Sequence, residues 1–269
     1  MQNTYLADTA ALFIGLPSLM AIVLTLTPKA KTSRGMAIKV MSIGMLASSI
    51  VLQESFICFL MAAPLFIGVV IIFDWLRKLI SRITEQNDNT IKVIAILPFL
   101  ILSLEGVFPL TTAPCTNIVV VEQIVSVDAN QVRELIAHTP DFNQTMPLFL
   151  RLGFPLPKHS SGSGAVLGDR RIITFAVPNR LPGDLTLSIS KNHDNLIVFD
   201  VLSDTSEIAN WLQWQEVQIT WEEVSPGQTR VTWQITFERL LDPAWYFEPL
   251  QEYAVRLSAK YLINSIIAS

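Results

Sequence analysis

Two hydrophobic patterns divide this chain. Up to about residue 110 the apolar residues come in unbroken runs, at about 10–27, 36–53, 55–75 and 91–110. Crossing a hydrocarbon layer of about 30 Å takes roughly 20 apolar residues in a helix, so the runs predict four transmembrane helices. The second and third are separated only by Gln53-Glu54-Ser55 and so predict a tight helical hairpin. Beyond Asn117 the period changes to two. Val217, Ile219 and Trp221 fall on one side of a strand, as do Val231, Trp233, Ile235 and Phe237, with Gln218, Thr220, Thr232, Gln234 and Thr236 opposite. Such alternation predicts strands with one buried and one wet face, and Pro226-Gly227 reads as the turn between them.

The second half otherwise reads in chain order. Pro109 and Pro114 mark a linker over 110–116, and 118–127 predicts a strand. Asp128 is placed to cap a helix running to about His138, and 145–152 predicts a second short helix. A loop rich in Pro, Ser and Gly follows (155–168). Five strands are then predicted at about 169–177, 184–191, 195–203, 214–224 and 228–239. Asp242 as cap and Pro243 in the first turn open a long last helix. Tyr246, Leu250, Tyr253, Leu257 and Tyr261 recur on it at intervals of three and four, the stripe expected to face a sheet. The fold class is α+β, with a membrane region over 1–114 and a second domain over 115–269.

Charge sharpens the division. Residues 1–114 carry eight Lys and Arg against six acids, and 115–269 carry eleven against seventeen. An acidic domain whose one adjacent basic pair is Arg170-Arg171 gives no phosphate-backbone footprint, so nucleic acid is not an expected partner. Lys29, Lys31, Arg34 and Lys39 flank the first helix connection and Arg77, Lys78, Arg82 and Lys92 the third, while the N-terminus and the Gln53 turn have none. Basic loops stay on the cytoplasmic side, so both termini and the second domain are expected outside it. A cleaved signal peptide is not expected, because Met1–Thr9 lacks a basic region.

Three phrases carry a resemblance: Leu167-Gly168-Asp169-Arg170-Arg171, the strand Thr229–Glu238, and Asp242-Pro243-Ala244-Trp245-Tyr246-Phe247 entering the last helix. With the order strand, two short helices, strand meander and long helix, residues 117–268 resemble the helix-grip fold of the START-like (SRPBCC) superfamily, which includes polyketide cyclases and lipid-transfer domains. The resemblance implies a hydrophobic cavity between a curved sheet and the last helix, and a lipid-like ligand. The alternatives are a cyclase- or hydrolase-like enzyme on the same fold, and a membrane sensor or assembly component with a filled core.

Aromatic content agrees with either a pocket or a solid core, since five of the six tryptophans lie between 211 and 245. The candidate ligand-binding residues are Arg171, Phe175, Phe199, Trp211, Trp214, Trp233, Tyr246 and Tyr253. Strand alternation puts Arg171 with Ile173 and Phe175, where it would orient an anionic group on a greasy ligand or pair with Asp204 or Glu207. In the membrane half, ionisable residues are costly and so become candidates: Glu54 and Glu105, with Cys58 beside Glu54, as a polar site near the outer surface. No catalytic constellation is legible. His138, His159 and His193 are scattered, neither HExxH nor paired metal spacing occurs, and two cysteines make no disulfide framework. No cofactor or metal is expected.

Overall fold

In the computed structural model the described residues are 30–51, 56–83, 88–105, 107, 113–140, 142–176 and 181–267. The chain divides into two compact units, Met1–Ser103 and Leu104–Ser269.

The first unit is helical, with α1 Ser33–Val51, α2 Phe56–Ile83 and α3 Asp88–Leu102. Pro64 and Pro98 lie inside α2 and α3, and Phe73 meets Phe99 at 6.3 Å between ring centroids. The expected run at 10–27 and the turn at Glu54 lie outside the described residues. Among those described, no helix is long and apolar enough to cross a membrane. α3 has 15 residues. The charge-free stretch of α2 with described side chains runs only from Met61 to Phe73, because Asp74, Arg77, Lys78 and Arg82 follow it. Apolar side chains on these helices point outward: Ile72, Leu97, Leu100 and Ile101 are each more than half exposed, while Ile43 and Ala95 are buried.

In the second unit the polarity is reversed. A seven-stranded antiparallel sheet has the order β1-β7-β6-β5-β4-β3-β2. Its strands are β1 Thr116–Val125, β2 Leu156–Gly162, β3 Arg170–Ala176, β4 Gly183–His193, β5 Leu196–Asp204, β6 Leu212–Ser225 and β7 Gln228–Arg239. Short helices α4 Ala129–Ala137 and α5 Leu148–Arg151 follow β1, and α6 Ala244–Ile267 ends the chain. The predicted alternation of β7 is strict, with Val231, Trp233, Ile235 and Phe237 buried together with Ile219 and Trp221 of β6. The β6–β7 turn is Pro226-Gly227, and Gly227 has the positive φ of 75° that this position of the turn requires. At α4, the Gln131 side chain accepts from the Asp128 backbone N–H at 3.2 Å, half of a capping box.

Three expectations are corrected. The stretch from Pro155 to Gly168 is not all loop, because Leu156–Gly162 forms β2, paired with β3. As an edge strand it needs backbone pairing on one side only, so Lys158, His159, Ser160 and Ser161 are tolerated, and its register shifts between Pro157 and His159. Asp242 does not cap α6: its carboxylate receives the Arg239 guanidinium, and Glu105 accepts from the Ala244 backbone N–H at 2.8 Å. Finally, the inner face of α6 is Phe247, Gln251, Ala254, Val255, Ala259, Tyr261, Ile263 and Ile266, whereas Tyr253 of the expected stripe is 50% exposed. Of the expected stripe, Tyr261 is buried and its hydroxyl donates to the Phe142 carbonyl at 3.0 Å, Tyr246, Leu250 and Leu257 are half-buried, and Tyr253 faces outward.

Candidate ligand cavity

Seven strands curve around one side of α6, and small side chains on the helix leave the space unfilled. Ala254 and Ser258, one turn apart, face the sheet where a leucine or phenylalanine would complete a solid core. The result is a cavity of about 140 Å³ whose wall is almost entirely carbon. An apolar cavity of roughly 150 Å³ is known to stay dry and to accept one benzene-sized guest. The sheet contributes Arg171 and Ile173 from β3, Leu187 from β4, Phe199 and Val201 from β5, and Trp233 and Ile235 from β7. Pro140, Met146 and Leu150 close it from the segment containing α5.

Six of the eight candidate ligand-binding residues line this space: Arg171, Phe175, Phe199, Trp211, Trp214 and Trp233. Tyr246 and Tyr253 do not. Tyr246 packs between Trp245 and Phe247 on the first turn of α6, at 5.8 and 5.0 Å between centroids. Tyr253 is the outer member of a chain of edge contacts, Tyr253 to Phe149 at 5.1 Å, Phe149 to Phe154 at 5.2 Å and Phe154 to Trp211 at 5.8 Å, which seals one end of the cavity. Met146, Leu150, Phe154, Ala254 and Ser258 also line the cavity and lie outside the candidate set. The small pair at i,i+4 on an otherwise bulky helix was the available signal.

Arg171 points inward, as alternation places it, and is 4% exposed. Its partners are neither Asp204 nor Glu207. Its Nη2 donates to the carbonyls of Ile136 at 2.6 Å, Ala137 at 3.2 Å and His138 at 2.9 Å, the unsatisfied end of α4. A cation at a helix C-terminus also meets the favourable end of the helix dipole. The guanidinium carbon sits 5.3 Å from the centre of the Phe199 ring, a cation–π contact. Burial pushes the guanidinium down from its ordinary value to about 10, so it remains cationic at neutral pH. Gly164 makes this arrangement possible, since a Cβ there would lie 2.4 Å from Arg171 Nη2, and its own N–H donates to Ala137 at 3.1 Å. The Ser160–Gly164 segment, part of the expected loop over 155–168, is therefore pinned by β2 pairing and by the end of α4.

The remaining candidates are dispersed. Asp204 does not line the cavity; burial raises its carboxyl above the usual range, and its Oδ1 accepts from the Ser206 backbone at 2.8 Å. Arg171 and Asp204 thus form no acid–base pair. Glu105 belongs to the second unit as the partner of α6's first N–H, Glu54 lies outside the described residues, and Cys58 is on α2 with its side chain outside them. His138 ends α4, where its Nδ1 lies 2.7 Å from the Glu134 carbonyl. Among the described residues no group of three His, Cys, Asp or Glu is placed to hold a metal. At the wall, the indole N–H of Trp214 is buried without a hydrogen-bond partner among the described residues.

No family model and no curated protein matches the sequence. Solved structures resemble it. An aromatase/cyclase, Zhui, from Streptomyces is 13% identical with a TM-score of 0.41, over 57% of this chain and 92% of its own. A START superfamily protein from Mycobacterium smegmatis is 12% identical, with a TM-score of 0.38, over 55% and 96%. Norcoclaurine synthase from Thalictrum flavum, in truncated form, is 12% identical with a TM-score of 0.36, over 56% and 97%. At these values the likeness adds nothing to what strand order and the gripped helix already establish: a helix-grip domain with an apolar cavity.

Proposed function

We propose that the second unit binds a hydrophobic, lipid-like molecule in the cavity between its sheet and α6. The observation that carries this reading is the void itself: Ala254 and Ser258 face a wall of Leu, Ile, Val and aromatic side chains around about 140 Å³ of space. A void of that size left empty forfeits the packing its lining would otherwise make. The Arg171 Nη2 is occupied by three carbonyls, while its Nε is buried without a hydrogen-bond partner among the described residues. An acceptor oxygen on that guest would satisfy the Trp214 indole.

We further propose that the first unit anchors this domain to a membrane, with the domain on the extracytoplasmic side. Support comes from the outward-facing Ile72, Leu97, Leu100 and Ile101 on helices that bury Asp74, from the uncharged run Phe56–Phe73, and from the basic residues grouped at two helix connections. A tethered pocket meets membrane-derived ligands at high effective concentration.

Titration of the full chain in neutral detergent with a fluorescent neutral hydrophobe tests the binding reading. Saturable one-to-one binding lost in Ala254→Leu, with unfolding temperature held or raised, is the expected result. Equal binding by the filled variant would remove the cavity from the account.

A further inference from the structure

Polar atoms without partners gather at one end of the apolar cavity. Trp214 lies near the start of β6, in register with Phe237 of β7 and in edge contact with its ring at 6.2 Å between centroids. Its indole N–H is buried and unpartnered among the described residues. Gln251 reaches the same end from the inner face of α6, three residues before Ala254, and is 3% exposed. Its Nε2 donates to the Trp211 carbonyl at 2.8 Å, while its Oε1 is buried with no partner. The carbonyl fixes which way round the amide lies, because an amide oxygen in place of Nε2 would face another acceptor. Arg239, in register with Leu212, is 3% exposed. The Leu241 carbonyl and the Asp242 carboxylate hold its Nη1, but its Nε and Nη2 are buried without partners among the described residues. Trp211, Leu212, Trp214 and Ala254 all line the cavity, so these groups stand at its wall or one residue behind it.

Resting on the ligand reading above, we infer that this end of the cavity receives the polar head of the guest and that the head carries hydroxyl groups. The Trp214 and Arg239 N–H groups need an acceptor, and the Gln251 oxygen needs a donor. A hydroxyl has one O–H and two lone pairs, so it meets both needs. A hydrocarbon meets neither, and a ketone, an ether or a carboxylate lacks the donor. The ligand class is therefore a lipid with a hydroxylated head, of the kind found in long-chain alcohols and monoacylglycerols. A buried donor or acceptor left unpaired is costly, so the head is selected as well as tolerated. Arg171 lies on β3, three strands from β6, and is not part of this site.

The test uses the full chain in neutral detergent and two probes small enough for the cavity, benzyl alcohol and toluene, each competing with a fluorescent neutral hydrophobe. The readout is the ratio of the two affinities, in which partition into detergent cancels between variants. Gln251→Leu leaves the Trp211 carbonyl with the Leu240 N–H at 3.1 Å, and Trp214→Phe keeps a ring against Phe237, so the two substitutions remove the polar atoms by independent routes. Each is expected to lower the ratio of benzyl alcohol to toluene affinity roughly tenfold, with toluene affinity held or raised. A ratio unchanged in both variants overturns the inference and leaves water as the filler of the site. An equal loss for both probes also overturns it, since that is what a purely structural role produces. A ratio that falls in Arg171→Lys and in neither of the others moves the head to β3 and overturns it as well. Failure of either probe to displace the hydrophobe removes the ligand reading itself, and this inference with it.

Discussion

The two units use the same residue types in opposite ways. In the helical unit Ile72 and Ile101 are 53% and 61% exposed while Asp74 is 8% exposed; in the sheet unit Ile197 and Ile219 are each 1% exposed. Burial in water follows apolar area, so the second unit is built as water builds a core. The first has the reverse arrangement, which is stable where the surroundings are themselves apolar. The contrast teaches that hydropathy alone does not say where a side chain goes. The period does: the unbroken runs leave apolar side chains facing outward, and alternating residues supply one buried face of a sheet.

That comparison can be broken at several points. The largest expected effects come from matched isoleucines. Ile219→Ala should cost the sheet unit about 2–5 kcal/mol, read as a lower denaturation midpoint, whereas Ile101→Ala should leave it unchanged. Ile101→Arg should release the chain from carbonate-washed membranes, since a cation among lipid tails costs about 2.5–3.5 kcal/mol. Retention of Ile101→Arg at the level of the unaltered chain would sink the inside-out reading.

Next comes Arg171→Ala, which strands three carbonyls at the end of α4 and removes a cation–π contact. A loss of about 2–4 kcal/mol is expected in thermal unfolding, with Arg171→Lys recovering part of it. If stability were untouched and only ligand affinity fell, the arginine would be a ligand hook after all. Gly164→Ala acts on the same latch by placing a methyl against Arg171 Nη2, with an expected cost of about 1–3 kcal/mol.

The smallest effect concerns Asp204, whose carboxyl is raised by burial. A raised acid burdens the folded state when ionised, and that burden disappears as pH falls below its ordinary range. Asp204→Asn should therefore stabilise the protein slightly at pH 7, with the advantage shrinking on acidification. An advantage that grew toward low pH would contradict the assigned direction.

Much of the sheet unit was legible because its signals are local. Alternation fixed β6 and β7, and Pro226-Gly227 fixed the turn between them. β2 was hidden, because an edge strand with Lys, His and Ser needs only a neighbour's backbone, which no local pattern encodes. On α6 the expected stripe reaches the cavity only at Tyr261, while the space beside it depends on the small residues Ala254 and Ser258, which carry no periodic signal. Six cavity residues were found from aromatic content and strand parity. The true partner of Arg171 was not, since the end of α4 is about 35 residues away in sequence and meets β3 only through the fold.

The most direct test is native mass spectrometry of the full chain gently extracted from the membranes of the cells that make it. One bound hydrophobic molecule per chain, absent from Ala254→Leu prepared in parallel, is the expected result. A chain that carries no guest in repeated gentle preparations, or a guest retained equally when the cavity is filled, would contradict a ligand-binding role for the helix-grip domain.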